Sequence, residues 1–109
     1  MALPLNVFKT VNVVAATSAT EIYTAPVGYT GVVLLAQAAN IDTSSHDVTF
    51  SHKRGNTVTE LGKEIAIPPH DTMSLVSGRL VLEAGDKLVL QASTSTGIKM
   101  TVSLLETLN

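Results

Sequence analysis

The three imidazoles, His46, His52 and His70, are the residues that a metal site or a general base would draw on. Their spacing opposes shared coordination. His46 and His52 stand six positions apart on one expected strand, which at about 3.3 Å per residue separates them by on the order of 20 Å, whereas each ligand must come within about 2.1 Å of a metal. The chain has no His-x-His pair, and Glu60 is the only downstream carboxylate at a plausible distance, so the histidines read as solvated or hydrogen-bonded side chains. Ser and Thr are abundant, yet there is no Gly-x-Ser-x-Gly elbow and no Cys, and His70-Asp71 follows Pro68-Pro69 in an expected turn. Gly62-Lys63 continues with Glu64 rather than Ser or Thr, which removes the phosphate-cradling motif. The carboxylates are scattered, with no acid and base pair singled out. These residues predict a chain that is not an enzyme, with no cofactor and no bound metal.

Binding residues are equally sparse. Tyr23 and Tyr29 flank the turn at Pro26, and together with the loop Asp42 to His46 they form the candidate patch of a receptor- or carbohydrate-binding module. The competing expectation is two rings packed beside a turn with wet hydroxyls, since no Trp offers a sugar platform. His52-Lys53-Arg54 is a local cationic spot, but a net charge of −2 and a pI near 5.8 provide no excess for a phosphate backbone, and no nucleic-acid partner is expected. The longest apolar stretch, Val32 to Ile41, is far short of the roughly 20 residues of a membrane helix, and Lys9 follows rather than precedes the first apolar residues, so neither a membrane nor a secretory signal is expected.

The elements that must position these side chains follow from composition and period. At 109 residues the chain is one small domain, 45% hydrophobic but only 15% charged, with Thr and Ser supplying the polarity. Ile98, Met100, Val102 and Leu104 alternate with Lys99, Thr101 and Ser103. That is a strand with one buried face. Val48 and Phe50 against Asp47, Thr49 and Ser51 repeat the pattern, as do Leu80 and Leu82 against Arg79 and Glu83, and Leu88 and Leu90 against Lys87 and Gln91. Val32 to Asn40, almost wholly apolar between Gly31 and a polar loop, reads as a doubly buried strand in preference to a short helix. Ser103-Leu104-Leu105-Glu106 matches a capping box, but too little chain follows for a helix, and it reads as the end of the last strand.

Turns at Ala25 to Gly28, Asp42 to Ser45, Arg54 to Asn56, Pro68 to Asp71, Glu83 to Asp86 and Ser93 to Gly97 punctuate the strands. Pro26 and Pro69 preset φ there, and Gly55, Gly85 and Gly97 can take positive φ. The expected fold is all-β, a single antiparallel β-sandwich or jelly-roll-like domain over 1–109. Its core is expected to hold Val48, Phe50, Ile65, Ile67, Leu80, Leu82, Leu88, Leu90, Ile98, Met100, Val102 and Leu104.

A surface argument remains. Mean hydropathy is +0.32 in a small chain, and Val81, Val89 and Leu105 fall on the outward side of their alternation. Apolar strands with few charged gatekeepers are stable when buried in a fixed assembly, so a homo-oligomer or attachment to a lattice is expected. The first segment, residues 1–16, offers Leu3, Leu5, Val7 and Phe8 either as an interface-forming arm or as the first strand of the subunit's own sheet.

The run Glu21-Ile22-Tyr23-Thr24-Ala25-Pro26-Val27-Gly28-Tyr29-Thr30-Gly31-Val32-Val33, followed by Ala39-Asn40 and by Leu80-Val81-Leu82-Glu83-Ala84-Gly85-Asp86-Lys87-Leu88, resembles small virion structural proteins of tailed phages, cyanophages in particular. The likeness extends from about Val7 to Glu106. It implies a β-sandwich or jelly-roll subunit in the virion, without an active site, that decorates the capsid or belongs to the neck, tail or baseplate and contacts other virion proteins.

Overall fold

Alternating Val, Ile, Leu and Thr segments form nine strands among residues 5–109, the part described by the computed structural model: β1 Asn6–Val14, β2 Thr20–Thr24, β3 Tyr29–Asn40, β4 His46–Arg54, β5 Thr57–Ile67, β6 Thr72–Ser74, β7 Leu80–Leu82, β8 Lys87–Ala92 and β9 Ile98–Leu108. Every pairing is antiparallel. One sheet runs β1-β9-β3, with β6 and β7 sharing the far edge of β3, and the other runs β2-β8-β4-β5. The pairs are nested: β4 with β5, β3 with β6 and β7, β2 with β8, and β1 with β9. A long antiparallel ribbon rolled up in this way is a jelly roll, and it puts the first and last strands side by side in one sheet.

The core lies between the two inner faces, as period-2 alternation requires. Val48, Phe50, Ile67, Leu82, Leu88, Leu90, Ile98, Met100, Val102 and Leu104 are buried, while Ile65 and Leu80 are half-buried against them. Val33, Ala36 and Ala38 of β3 complete this core, but β3 is not doubly buried as the apolar run suggests. Its register with β9 shifts between Val33 and Leu35. The extra residue lets Val33 and Ala36, an odd number of positions apart, both face inward, and it leaves Leu34 and Leu35 exposed at 42% and 39%.

The tail continues as strand to Leu108, so the capping-box pattern marks no helix. β1 pairs with β9 in unbroken register from Asn6 to Val14, which makes these nine residues of the first segment a strand of the subunit's own sheet. Leu3 lies outside the described residues.

Two turns owe their shape to more than glycine at positive φ. Gly55 and Gly85 have φ of 59° and 88°, but Gly97 is not at positive φ. What it requires is space, because a Cβ there would stand 3.1 Å from both Asp42 Cβ and His46 Cδ2. In the Pro68 to Asp71 turn, Asp71 N–H donates to the Pro68 carbonyl at 3.2 Å and His70 sits at φ 59°, in the third position that type II turns give to Gly or Asn. His70 therefore holds an exposed left-handed turn. His70→Gly is expected to leave stability unchanged within about 0.5 kcal/mol, because relief of left-handed strain offsets the added backbone entropy. His70→Val is expected to lose about 1–2 kcal/mol, as a β-branched residue tolerates positive φ poorly. Thermal melts of the two variants check both values.

Candidate functional site

The outer face of the five-stranded sheet brings together side chains that are far apart in sequence. Phe8 of β1 is paired with Leu105 of β9, Leu105 with Val32 of β3, and Val32 with Val81 of β7. Directly paired residues share a face, so these four form one apolar row across the sheet. Phe8 is 75% and Val81 55% exposed, Leu105 and Val32 are half-buried between them, and the bulged Leu34 and Leu35 lie next along β3. The row on one side is polar, with Asn6, Thr107 and Thr30; on the other Leu35 stands beside Ser103 and Thr10, and the polar row Asn12, Thr101 and Gln37 follows. An apolar band bounded by Thr, Ser and Asn has the composition of a contact surface.

The opposite outer face is built differently. On the four-stranded sheet, Glu21 bridges Lys87 at 2.9 Å and Lys53 at 3.1 Å. Hydrogen bonds from Lys87, then Lys53, hold the Glu21 carboxyl below its ordinary range. Val89 lies half-buried in the row of Glu21, Ser51 and Glu60, with the exposed Val58 lining the same depression. The expected outward residues thus separate: Phe8, Val81 and Leu105 converge, whereas Val89 faces away on the other sheet. Val7, opposite the buried Glu106, lies on the inner face. Leu5 is 70% exposed at the start of β1, where its carbonyl accepts from Leu108 N–H at 2.7 Å.

The ionisable groups of the interior serve the fold. Asp86, buried at the start of β8, accepts from Arg54 Nε at 2.9 Å and Nη2 at 2.7 Å and from the Glu83 backbone N–H at 2.9 Å, with His52 Nε2 3.0 Å away. The Arg54 bonds, helped by His52 and the Glu83 N–H, hold its carboxyl well below the ordinary range against the opposing effect of burial. In the other sheet Glu106 accepts from the Tyr23 hydroxyl, and its second oxygen lies 3.3 Å from Lys9 Nζ. Burial, then the bond to Glu106, pushes the Tyr23 hydroxyl above its ordinary value, so the phenol keeps its proton as donor. Glu106, the last residue of the capping-box pattern, is in phase with Ile98, Met100, Val102 and Leu104 on the buried side, and that alternation is the signal of its burial.

Tyr23 and Tyr29 belong to different sheets, and the Tyr23 hydroxyl crosses the gap between them to reach β9. The Asp42 to His46 loop is tied down by buried Asn40, whose Nδ2 donates to the carbonyls of Ser44 and Ile67 while its Oδ1 accepts from Asp42 N–H. His46 Nε2 pairs with Asp42 at 2.9 Å. Among the described residues no group of three or more His, Cys, Asp or Glu side chains could share a metal. A groove of about 670 Å³ opens between β5 and the β6–β7 edge, where Leu61, Ile65, Met73, Leu75 and Leu80 line it and Arg79 is its ionisable residue. That lining can take up apolar surface but sets no base beside a nucleophile.

Neither a protein-family model nor a curated protein matches this sequence. Among solved structures, a subunit of Bacillus endospore appendages, described as forming a novel family of disulfide-linked pili, is similar with a TM-score of 0.56 at 16% identity, over 95% of this chain and 88% of that one. The likeness is one of fold.

Proposed function

We propose that this chain is a non-enzymatic structural subunit of an assembled particle, and specifically a homo-oligomeric decoration subunit on the capsid of a tailed phage, with the neck, tail or baseplate as the alternative position. The observation that carries the reading is the apolar row Phe8, Leu105, Val32 and Val81 on one outer face, set against the ion-paired Glu21, Lys53 and Lys87 on the other. A permanent interface is more hydrophobic than a transient one, and a two-faced sandwich can bury one side in a lattice while keeping the other in water. The fold similarity to an appendage subunit supports a role in assembly. None of these 109 residues is Cys, so cohesion here would rest on noncovalent contacts rather than on the disulfides of those pili.

Cryo-electron microscopy and mass spectrometry of phage particles that carry the chain test the reading. The expected result is a capsid-lattice copy number for the wild type, and loss of incorporation for Phe8→Lys combined with Val81→Lys, with the circular dichroism of the variant unchanged. A few copies at one vertex or along the tail would select the alternative position. A protein absent from particles and monomeric at high concentration would overturn the proposal.

A further inference from the structure

The four sheet edges are not alike. β6 and β7 have three residues each, and β2 has five with a register shift between Glu21 and Tyr23. β5 is long, but its register with β4 shifts twice, Glu64 sits at φ 51°, and Glu60, Lys63 and Glu64 charge it. Short length, bulges and charge are the devices that keep an edge from pairing with another chain. β1 is neither short nor bulged. It runs nine residues in unbroken register. It carries one charge, Lys9, whose half-exposed side chain lies on the inner side 3.3 Å from buried Glu106, which offsets that charge. Among the described residues, no strand pairs with its far edge.

The hydrogen-bond phase of that edge can be derived. Ala15 N–H donates to the Ile98 carbonyl, and Leu108 N–H donates to the Leu5 carbonyl. Both pairs continue the β1–β9 register, in which antiparallel partners alternate between bonded and non-bonded, so the odd residues of β1 spend their backbone groups on β9. Asn6, Phe8, Thr10, Asn12 and Val14 then direct N–H and C=O to the free edge.

We infer that β1 pairs antiparallel with β1 of a second copy about a two-fold axis at Val11, so that the two five-stranded sheets become one. This deepens the subunit reading and rests on it. The phase is self-complementary, because bonded even residues meet bonded even residues in this register. Phe8 lies opposite the partner's Val14, Thr10 opposite the partner's Asn12, and Lys9 opposite the partner's Val13. A register centred on Lys9 would instead oppose like charges. The partner's Val14 also extends the apolar row of Phe8, Leu105, Val32 and Val81 across the seam, and a second, symmetric row lies on the same face beyond the Thr10 and Asn12 pairs.

Sedimentation velocity over a range of concentrations tests the pairing, with two variants. Thr10→Pro removes an N–H that points to the free edge and none that β9 uses, as edge strands tolerate. Two bonds are lost by symmetry, and the dimer dissociation constant is expected to rise on the order of tenfold to hundredfold with circular dichroism unchanged. Val11→Cys puts the chain's only thiol in a non-bonded pair about 4.5 Å apart at Cα, within disulfide range, and is expected to form a covalent dimer on mild oxidation. An oligomer that resists Thr10→Pro and gives no disulfide cross-link with Val11→Cys overturns the edge pairing and leaves the subunit reading intact. A wild-type chain that is monomeric alone yet enters the particle does the same. A monomer absent from every particle overturns both.

Discussion

Phe50→Ala is expected to lower the unfolding free energy by about 3–5 kcal/mol, a large share of the roughly 5–15 kcal/mol of a typical domain. The ring is fully buried in β4, where Leu90 is its directly paired neighbour on β8 and Gly62 its neighbour on β5. Deleting it removes both the transferred apolar surface and the contacts of a close-packed interior that relaxes only in part. Phe8 supplies the internal comparison, being the chain's other Phe and 75% exposed. Phe8→Ala is expected within about 0.5 kcal/mol of wild type. Urea denaturation followed by circular dichroism should be run at low protein concentration, since assembly adds to apparent stability. A loss under about 1 kcal/mol for Phe50→Ala would contradict the packing of this core.

Asp86→Ala is expected to cost about 2–4 kcal/mol, through the unpaired groups it leaves behind at His52 and the Glu83 N–H and through the loss of the Arg54 bonds. The value lies below that for a wholly buried pair because Arg54 is half exposed and water can take the place of its partner. The same carboxylate gives the fold an acid limb. Its folded pKa is depressed relative to the ordinary value near 4, so below that pH the unfolded chain binds the proton first. The contribution is complete above about pH 4 and declines as the pH falls further. Asp86→Asn should flatten this decline while keeping part of the hydrogen bonding. An unchanged slope of stability against pH between about 4 and 2 in that variant would show that other groups set the limb.

The period-2 segments make the faces of their own strands legible. Alternation is a local property of an extended chain, so Phe50, Leu82, Leu88, Leu90 and the Ile98 to Leu104 series can be assigned to the core before any pairing is known. Turn chemistry is legible for a related reason, since Pro26, Gly55 and Gly85 act through their own backbone angles. The parity of β3 is not legible in this way. One extra residue at Leu34 reverses which side chains face inward, and a bulge is settled by the register with β9 rather than by the hydrophobicity of Leu34 itself.

Which strands lie side by side was decided only by the tertiary fold. Phe8, Val32, Val81 and Leu105 lie in four separate segments of the sequence, and only the pairing of β1 with β9, of β9 with β3 and of β3 with β7 turns them into one surface. The same nesting put Val89 on the other sheet and joined Tyr23 to Glu106 across the core. Faces follow from bond geometry within a few residues. Neighbours follow from how the whole chain rolls to bury those faces, and no short stretch of sequence encodes that choice.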